Sequence, residues 1–260
     1  MNLNFQNKTI LITGGAKGIG EAIARVLVGE GATVALVDRD KAALQRTLSN
    51  LTESGGRVIG VMADLTHPDD CKRAVDDVLS QTNGRLDGLV NNAGVNDGVG
   101  LKTGDYERFM ASMHRNVVHY YLMAHHVLPG LKAAKGSIVN ISSKVAETGQ
   151  GGTSAYAAAN GARNALTREW AVELLPYGIR VNAVIVAEAW TPLYETWLST
   201  LPDPAGTLQR ITGKIPLENR MTTPTEIASM VAFLLSSQSS HTTGQLIHVD
   251  GGYTHLDRAI

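Results

Sequence analysis

Short apolar runs alternate with longer segments whose apolar positions recur at helical spacing, from residue 8 to residue 249. Strand-like runs fall at 8–13, 33–37, 58–62, 86–90, 137–141, 180–185 and 246–249. Helical periodicity spans 20–30, 41–54, 68–82, 106–131, 154–175 and 225–235. Parallel strands covered on both faces read as near-continuous apolar runs, and the helices between them are the crossovers that parallel pairing requires. The pattern predicts an α/β protein: a doubly wound parallel sheet with helices on both faces. The segment at 68–82 opens with Asp69 and Asp70, acidic residues where a helix N-terminus favours them.

The pattern breaks once. Residues 187–220 hold Pro192, Pro202, Pro204, Gly213 and Pro216 and read as an irregular insertion. It follows the carboxyl end of a strand, where open α/β sheets bind ligands, and is expected to be a substrate lid. No repeat, linker or low-complexity tract divides the chain, so residues 1–260 are expected to form one domain with a substantial core. A formal net charge of −1 removes any electrostatic drive toward nucleic acid or an anionic membrane. A lone cysteine, Cys71, excludes an intramolecular disulfide and fits a reducing cytoplasm. Met1-Asn2-Leu3-Asn4-Phe5 carries neither the basic nor the apolar part of an export signal. No apolar stretch approaches the roughly 20 residues of a membrane span. The expectation is a soluble cytoplasmic protein.

Candidate chemistry begins between the first strand and the first helix, at Thr13-Gly14-Gly15-Ala16-Lys17-Gly18-Ile19-Gly20. Glycines there let backbone N–H groups and the positive helix end approach a pyrophosphate without a Cβ in the way. Asp38 ends the second strand, where a carboxylate can accept hydrogen bonds from the adenosine ribose hydroxyls and repel a 2′-phosphate. That favours NAD. Lys17 and Arg39 pull toward NADP, because each could pair with that phosphate. A Rossmann-like dinucleotide fold follows.

Further motifs lie in order: Asp64-Leu65, Asn91-Asn92-Ala93-Gly94, Asn116, Ser143, and Tyr156-Ala157-Ala158-Ala159-Asn160. With the glycine loop they resemble the short-chain dehydrogenase/reductase family across essentially the whole chain. The resemblance implies that Asp64 and Leu65 hold the adenine, and that Asn92, Ala93 and Gly94 line the nicotinamide ribose. It further implies that Tyr156 takes the substrate hydroxyl proton while hydride passes to the nicotinamide, and that Ser143 orients the same oxygen. Asn116 matches the asparagine that anchors a water relay, and Thr191 the threonine that contacts the carboxamide. Two departures stand out. The family has a lysine where this chain has Asn160, one helical turn after the tyrosine. A free phenol ionises near about 10, so that lysine's charge is what makes tyrosine a useful base. Asn160 can donate to a ribose hydroxyl but carries no charge, and the expected loss is about 10²- to 10⁴-fold. Lys144 and Arg163 are the candidate replacement cations. The family also has Pro-Gly after the sixth strand, where this chain has Val186-Ala187-Glu188-Ala189-Trp190-Thr191-Pro192.

The stretches 90–101, 142–151 and 249–259 resemble the family's L-fucose dehydrogenases, which oxidise C1 of the aldose to a lactone. A sugar needs several polar partners, because each buried hydroxyl left unpaired is costly. Asn96, Lys144, Glu147, Gln150 and Glu188 are candidate substrate groups, with Trp190 a candidate wall. Two alternatives stand beside this reading: a catalytically impaired dinucleotide-binding protein, and a ketone or alcohol oxidoreductase of another pathway. His114, His119, His125 and His126 share no helical face with an acidic partner, so no metal is expected on the long helix. The resemblance implies a homotetramer joined through the helices at 106–131 and 154–175 and the C-terminal region.

Overall fold

The computed structural model describes residues 3–256. Met1 and Asn2, and residues 257–259 of the stretch resembling fucose dehydrogenases, lie outside the described residues. Seven strands form one sheet: β1 (Thr9–Thr13), β2 (Thr33–Asp38), β3 (Arg57–Met62), β4 (Gly88–Asn91), β5 (Ser137–Ser143), β6 (Arg180–Val186) and β7 (Leu246–Val249). Their spatial order is β3-β2-β1-β4-β5-β6-β7, and every pairing is parallel. The order turns outward in both directions from the β1–β4 seam, and a crevice opens outside the carboxyl ends at such a switch point.

Alternate residues of each strand enter opposite cores. Ile10, Ile12, Val34, Leu36 and Val139 pack with Ile23 and Leu27 of α1 (Gly18–Gly29), Leu44 and Leu51 of α2 (Lys41–Glu53), and Ile227 and Val231 of α9 (Pro224–Leu235). Leu11, Ala35, Leu89 and Ile138 face the other way. There they meet Val75 and Val78 of α3 (Pro68–Gln81), Met123 and Val127 of α5 (His119–Ala134), and Trp170 of α6 (Ser154–Glu173). Each fully buried aliphatic side chain stabilises the fold by about 1.5–3 kcal/mol relative to exposure. Among the described residues no helix is long and apolar enough to cross a membrane.

One expectation needs correction. The stretch at 187–220 is largely helical, with α7 (Pro192–Ser199) and α8 (Pro204–Thr212). Pro192 and Pro204 sit in the first turns, where a missing N–H costs nothing, and the Thr191 and Asp203 side chains cap the helices. These prolines start helices rather than break them. The long helix expected at 106–131 forms and runs on to Ala134, with a π-helical turn at His114–Val118 between α4 (Tyr106–Met113) and α5. Such turns often mark functional positions, and this one contains Asn116.

Candidate active site

The glycine loop joins the end of β1 to α1, and side chains from three segments lock its path. The Thr13 hydroxyl accepts the Asn92 and Ala93 amides at 2.9 and 3.1 Å. Asn92 returns its Nδ2 to the Thr13 and Gly14 carbonyls at 2.9 and 3.1 Å. Asp38 Oδ2 accepts the Ala16 amide at 3.1 Å, and Oδ1 the Asp40 amide at 3.0 Å. A Cβ at Gly20 would lie 2.1 Å from the Gly14 carbonyl oxygen, so only glycine fits there. Thr13, known from the sequence only as the first residue of the glycine motif with no role of its own, is the hub of this loop. Its place just before Gly14 was the available signal.

Helix α1 starts at Gly18 after Lys17, which supplies no side-chain cap. α3 and α6 likewise lack a side-chain cap, whereas α2, α4, α7, α8 and α9 are capped by Asp40, Asp105, Thr191, Asp203 and Thr223. The first-turn amides of α1, at Gly18, Ile19 and Gly20, have no intrahelical acceptor, as at every helix start. An uncapped, glycine-lined helix end beside Asp38 fits the pyrophosphate of a dinucleotide. Thr191 faces the same loop, for a Cβ placed on Gly18 would meet its Cβ at 3.5 Å. Lys17 Nζ pairs with Asp40 at 2.9 Å, and that hydrogen bond chiefly holds the Asp40 carboxyl down at about 2. At the end of β3, burial would raise the Asp64 carboxyl, but hydrogen bonds from Thr66 outweigh it and leave it below the usual range. Asp64 Oδ1 takes the Thr66 amide and hydroxyl at 3.0 and 2.8 Å, inside its own turn, and Leu65 is buried beside it.

The second half of the site lies at the end of β5 and the first turns of α6. Ser143 is the last strand residue, and its Oγ accepts the Val145 amide at 3.4 Å. Tyr156 lies in the first turn of α6. One turn on, Asn160 is fully buried. Its Nδ2 donates to the Tyr156 carbonyl at 2.8 Å, its Oδ1 accepts Arg163 Nη1 at 3.0 Å, and its carbonyl accepts the Ser142 hydroxyl at 3.3 Å. The expected donor to a ribose hydroxyl is thus turned into the protein. Arg163 is the group the sequence underplayed. It is 3% exposed, donating through Nε to the Asn116 carbonyl at 2.6 Å and through Nη1 to the Ile141 carbonyl at 3.2 Å. Its guanidinium lies 4.3 Å over the Tyr120 ring. Asn116 Oδ1 accepts the Val95 amide at 2.8 Å, so the π-helical turn, Arg163 and the strand that ends at Asn91 are tied together. A Cβ on Gly94 would come within 2.7 Å of Arg163 Nη2. Burial, reinforced by the Arg163 charge, pushes the neighbouring His119 imidazole down to about 4.

Two of the expected substrate groups, Lys144 and Glu188, meet. Lys144 is buried beside Ser143, pairs with Glu188 Oε1, and lies 3.9 Å over the Tyr253 ring. Glu188 Oε2 accepts the Tyr194 hydroxyl at 2.8 Å, and Trp190 is half-exposed just beyond. Burial, then the Glu188 charge, drives the Tyr194 phenol well above its ordinary value. Asn96 and Gln150 are exposed, with Asn96 Oδ1 accepting the Gly98 amide at 3.3 Å. Glu147 leaves this group and turns to His248 and His255.

A family model described as enoyl-(acyl carrier protein) reductase matches residues 14–254. L-fucose dehydrogenase of Bos taurus is 33% identical over 256 residues, spanning 97% of this chain and 91% of that protein. 2-(S)-Hydroxypropyl-CoM dehydrogenase 3 of Xanthobacter autotrophicus is 38% identical, covering 98% of this chain and 100% of the relative. The chain belongs to the short-chain dehydrogenase/reductase family. The crystal structure of Cj0485 dehydrogenase matches with a TM-score of 0.94 and 42% identity, over 100% of this chain and 99% of that one. As a member of this family the protein is an oxidoreductase of small molecules that uses a nicotinamide dinucleotide. The relatives act on chemically different substrates, so membership alone fixes no substrate.

Proposed function

We propose that the protein oxidises C1 of an L-fucose-like aldose to a lactone with NAD as acceptor, at a rate limited by Asn160. Gly14, Gly18, Ile19 and Gly20 would hold the pyrophosphate, Asp38 the adenosine ribose, Asp64 and Leu65 the adenine side, and Asn92, Ala93, Gly94 and Thr191 the nicotinamide side. When bound, the dinucleotide accepts hydride from the substrate carbon. Tyr156 takes the hydroxyl proton and Ser143 orients that oxygen by hydrogen bonding. Lys144 and Glu188 supply a paired cation and carboxylate for neighbouring sugar hydroxyls, with Trp190 as a wall. Helices α7 and α8 would form the lid, and the family arrangement suggests a homotetramer. The choice of NAD rests on Asp38 and on Lys17, whose charge is already drawn to Asp40 at 2.9 Å.

The observation that carries the attenuated rate is that both polar atoms of the Asn160 side chain are spent within the protein, on Tyr156 and Arg163. No charged group replaces the lysine at that position. The nearest cation along α6 is Arg163, one turn farther on, whose guanidinium lies 4.3 Å over the Tyr120 ring. The sugar assignment rests on the likeness to L-fucose dehydrogenase and on the polar Lys144–Glu188–Tyr194 group. NADH formation should be followed with L-fucose, other aldoses, cyclic alcohols and ketones. Turnover confined to aldoses bearing a free C1 hydroxyl supports the proposal. Turnover only on ketones with NADPH, or tight dinucleotide binding with no turnover on any substrate, contradicts it.

A further inference from the structure

A cleft of about 620 Å³ has neither Ser143 nor Tyr156 in its lining. It lies on the other flank of α6, lined by Glu147, Asn164, His248 and His255 among others. Glu147 Oε2 is met by two imidazoles, His248 Nε2 at 3.1 Å and His255 Nε2 at 3.8 Å. All three donor atoms lie within 4.8 Å of one another. Around a tetrahedral ion with ligand bonds of about 2.0–2.2 Å, donor atoms sit about 3.3 Å apart, which these distances bracket. The two rings meet edge to face at a centroid distance of 4.3 Å, so both nitrogens converge without clash.

The fold prepares this convergence. His248 projects from β7, and the chain then reverses through Gly251 and Gly252, whose φ values are 63° and 82°. Asp250 clamps the turn by accepting the Gly252 and Thr254 amides at 2.8 and 2.9 Å. That reversal returns His255 over His248. Glu147 comes from the loop four residues after Ser143, and Asn164 Nδ2 lies 3.5 Å from its second oxygen. Asn164, which lines the same cleft, adds a second observation. Its Oδ1 is buried without a hydrogen-bond partner among the described residues. Such orphaned acceptors call for an explanation, bound water or ion included, and a water on the fourth coordination position would supply the proton.

We propose that Glu147, His248 and His255 form a binding site for a divalent zinc-type ion, which fastens the C-terminal turn to the loop behind Ser143. Two imidazoles and one carboxylate suit zinc and its transition-metal neighbours, whereas magnesium and calcium prefer oxygen donors alone. Solvent reaches the site through His255, whose side chain is 60% exposed. The proposal needs no assumption about the substrate. The test uses the tag-free full chain, stripped with chelator and titrated with Zn²⁺ by calorimetry. Co²⁺ serves as an absorbing probe. One Zn²⁺ should bind per chain, and Co²⁺ should show the visible bands of a tetrahedral site. His255→Ala, on an exposed turn that leaves the core intact, and Glu147→Gln should each weaken Zn²⁺ at least about tenfold. No saturable Zn²⁺ binding, binding that both variants leave unchanged, or a preference for Mg²⁺ would overturn it.

Discussion

The two halves of the candidate site are built by opposite means. At the cofactor end the work falls to backbone and to residues that hold backbone: Thr13, Asn92 and Asp38 fix the loop, and α1 is left uncapped toward the crevice. At the catalytic end the outcome hangs on side-chain charge, and there Asn160 puts a neutral amide where the family carries a cation. Its neighbour Arg163 is buried among carbonyls, amides and an aromatic face. A cradle made of backbone survives changes around it. A proton-transfer site slows when it loses one charge, because that charge sets the driving force for the transfer.

The comparison can be broken most severely at its firmer half. Gly20→Val places a branched side chain against the Gly14 carbonyl. It should cost more than about 3 kcal/mol of stability, beyond ordinary overpacking, and abolish NADH binding in a fluorescence titration. Full affinity in that variant would refute the cradle. Next comes Arg163→Leu, which strips donors from the Asn116 and Ile141 carbonyls and from Asn160 Oδ1. The Ile141 carbonyl keeps the Tyr120 hydroxyl, but Asn160 Oδ1 is orphaned, so a loss of about 1–3 kcal/mol is expected in urea denaturation. A neutral result would show that Arg163 is not the structural tie between the halves.

The His119 imidazole sharpens the catalytic half further. Burial holds its folded pKa at about 4, below the ordinary imidazole value of 6.5, so the unfolded chain binds the proton more tightly between those values. Stability is therefore full above pH 6.5 and falls as pH drops toward 4, by at most about 3 kcal/mol. His119→Gln should flatten that part of the pH–stability curve. Smallest is the effect of Cys71, fully buried in α3 with burial pushing its thiol up to about 12. Reaction with a thiol reagent at pH 8 should wait on unfolding, and prompt reaction in the native protein would contradict the packing.

The sheet, its crossovers and the glycine cradle were legible because they rest on periodicity and on residues without side chains. Ser143 and Tyr156 stood out through the family resemblance, and the structure places them at the end of β5 and in the first turn of α6. The helices at 192–199 and 204–212 were not, because a proline in a first turn looks the same in sequence as a proline in a loop. Arg163 looked like a candidate cation on the helix face. Its burial depends on a π-helical turn and on Gly94, which no local pattern announces. Glu147 likewise sat near the substrate groups in sequence, yet long-range turns carry His248 and His255 to it.

The most direct test of the missing charge is NADH formation from L-fucose between pH 6 and 10, compared for the native chain and Asn160→Lys. Slow native turnover at pH 7, raised about 10²- to 10⁴-fold by the lysine, is the expected result. Fast turnover by the native chain at pH 7, with no gain from the lysine, would show that the charge is supplied from elsewhere and contradict the account.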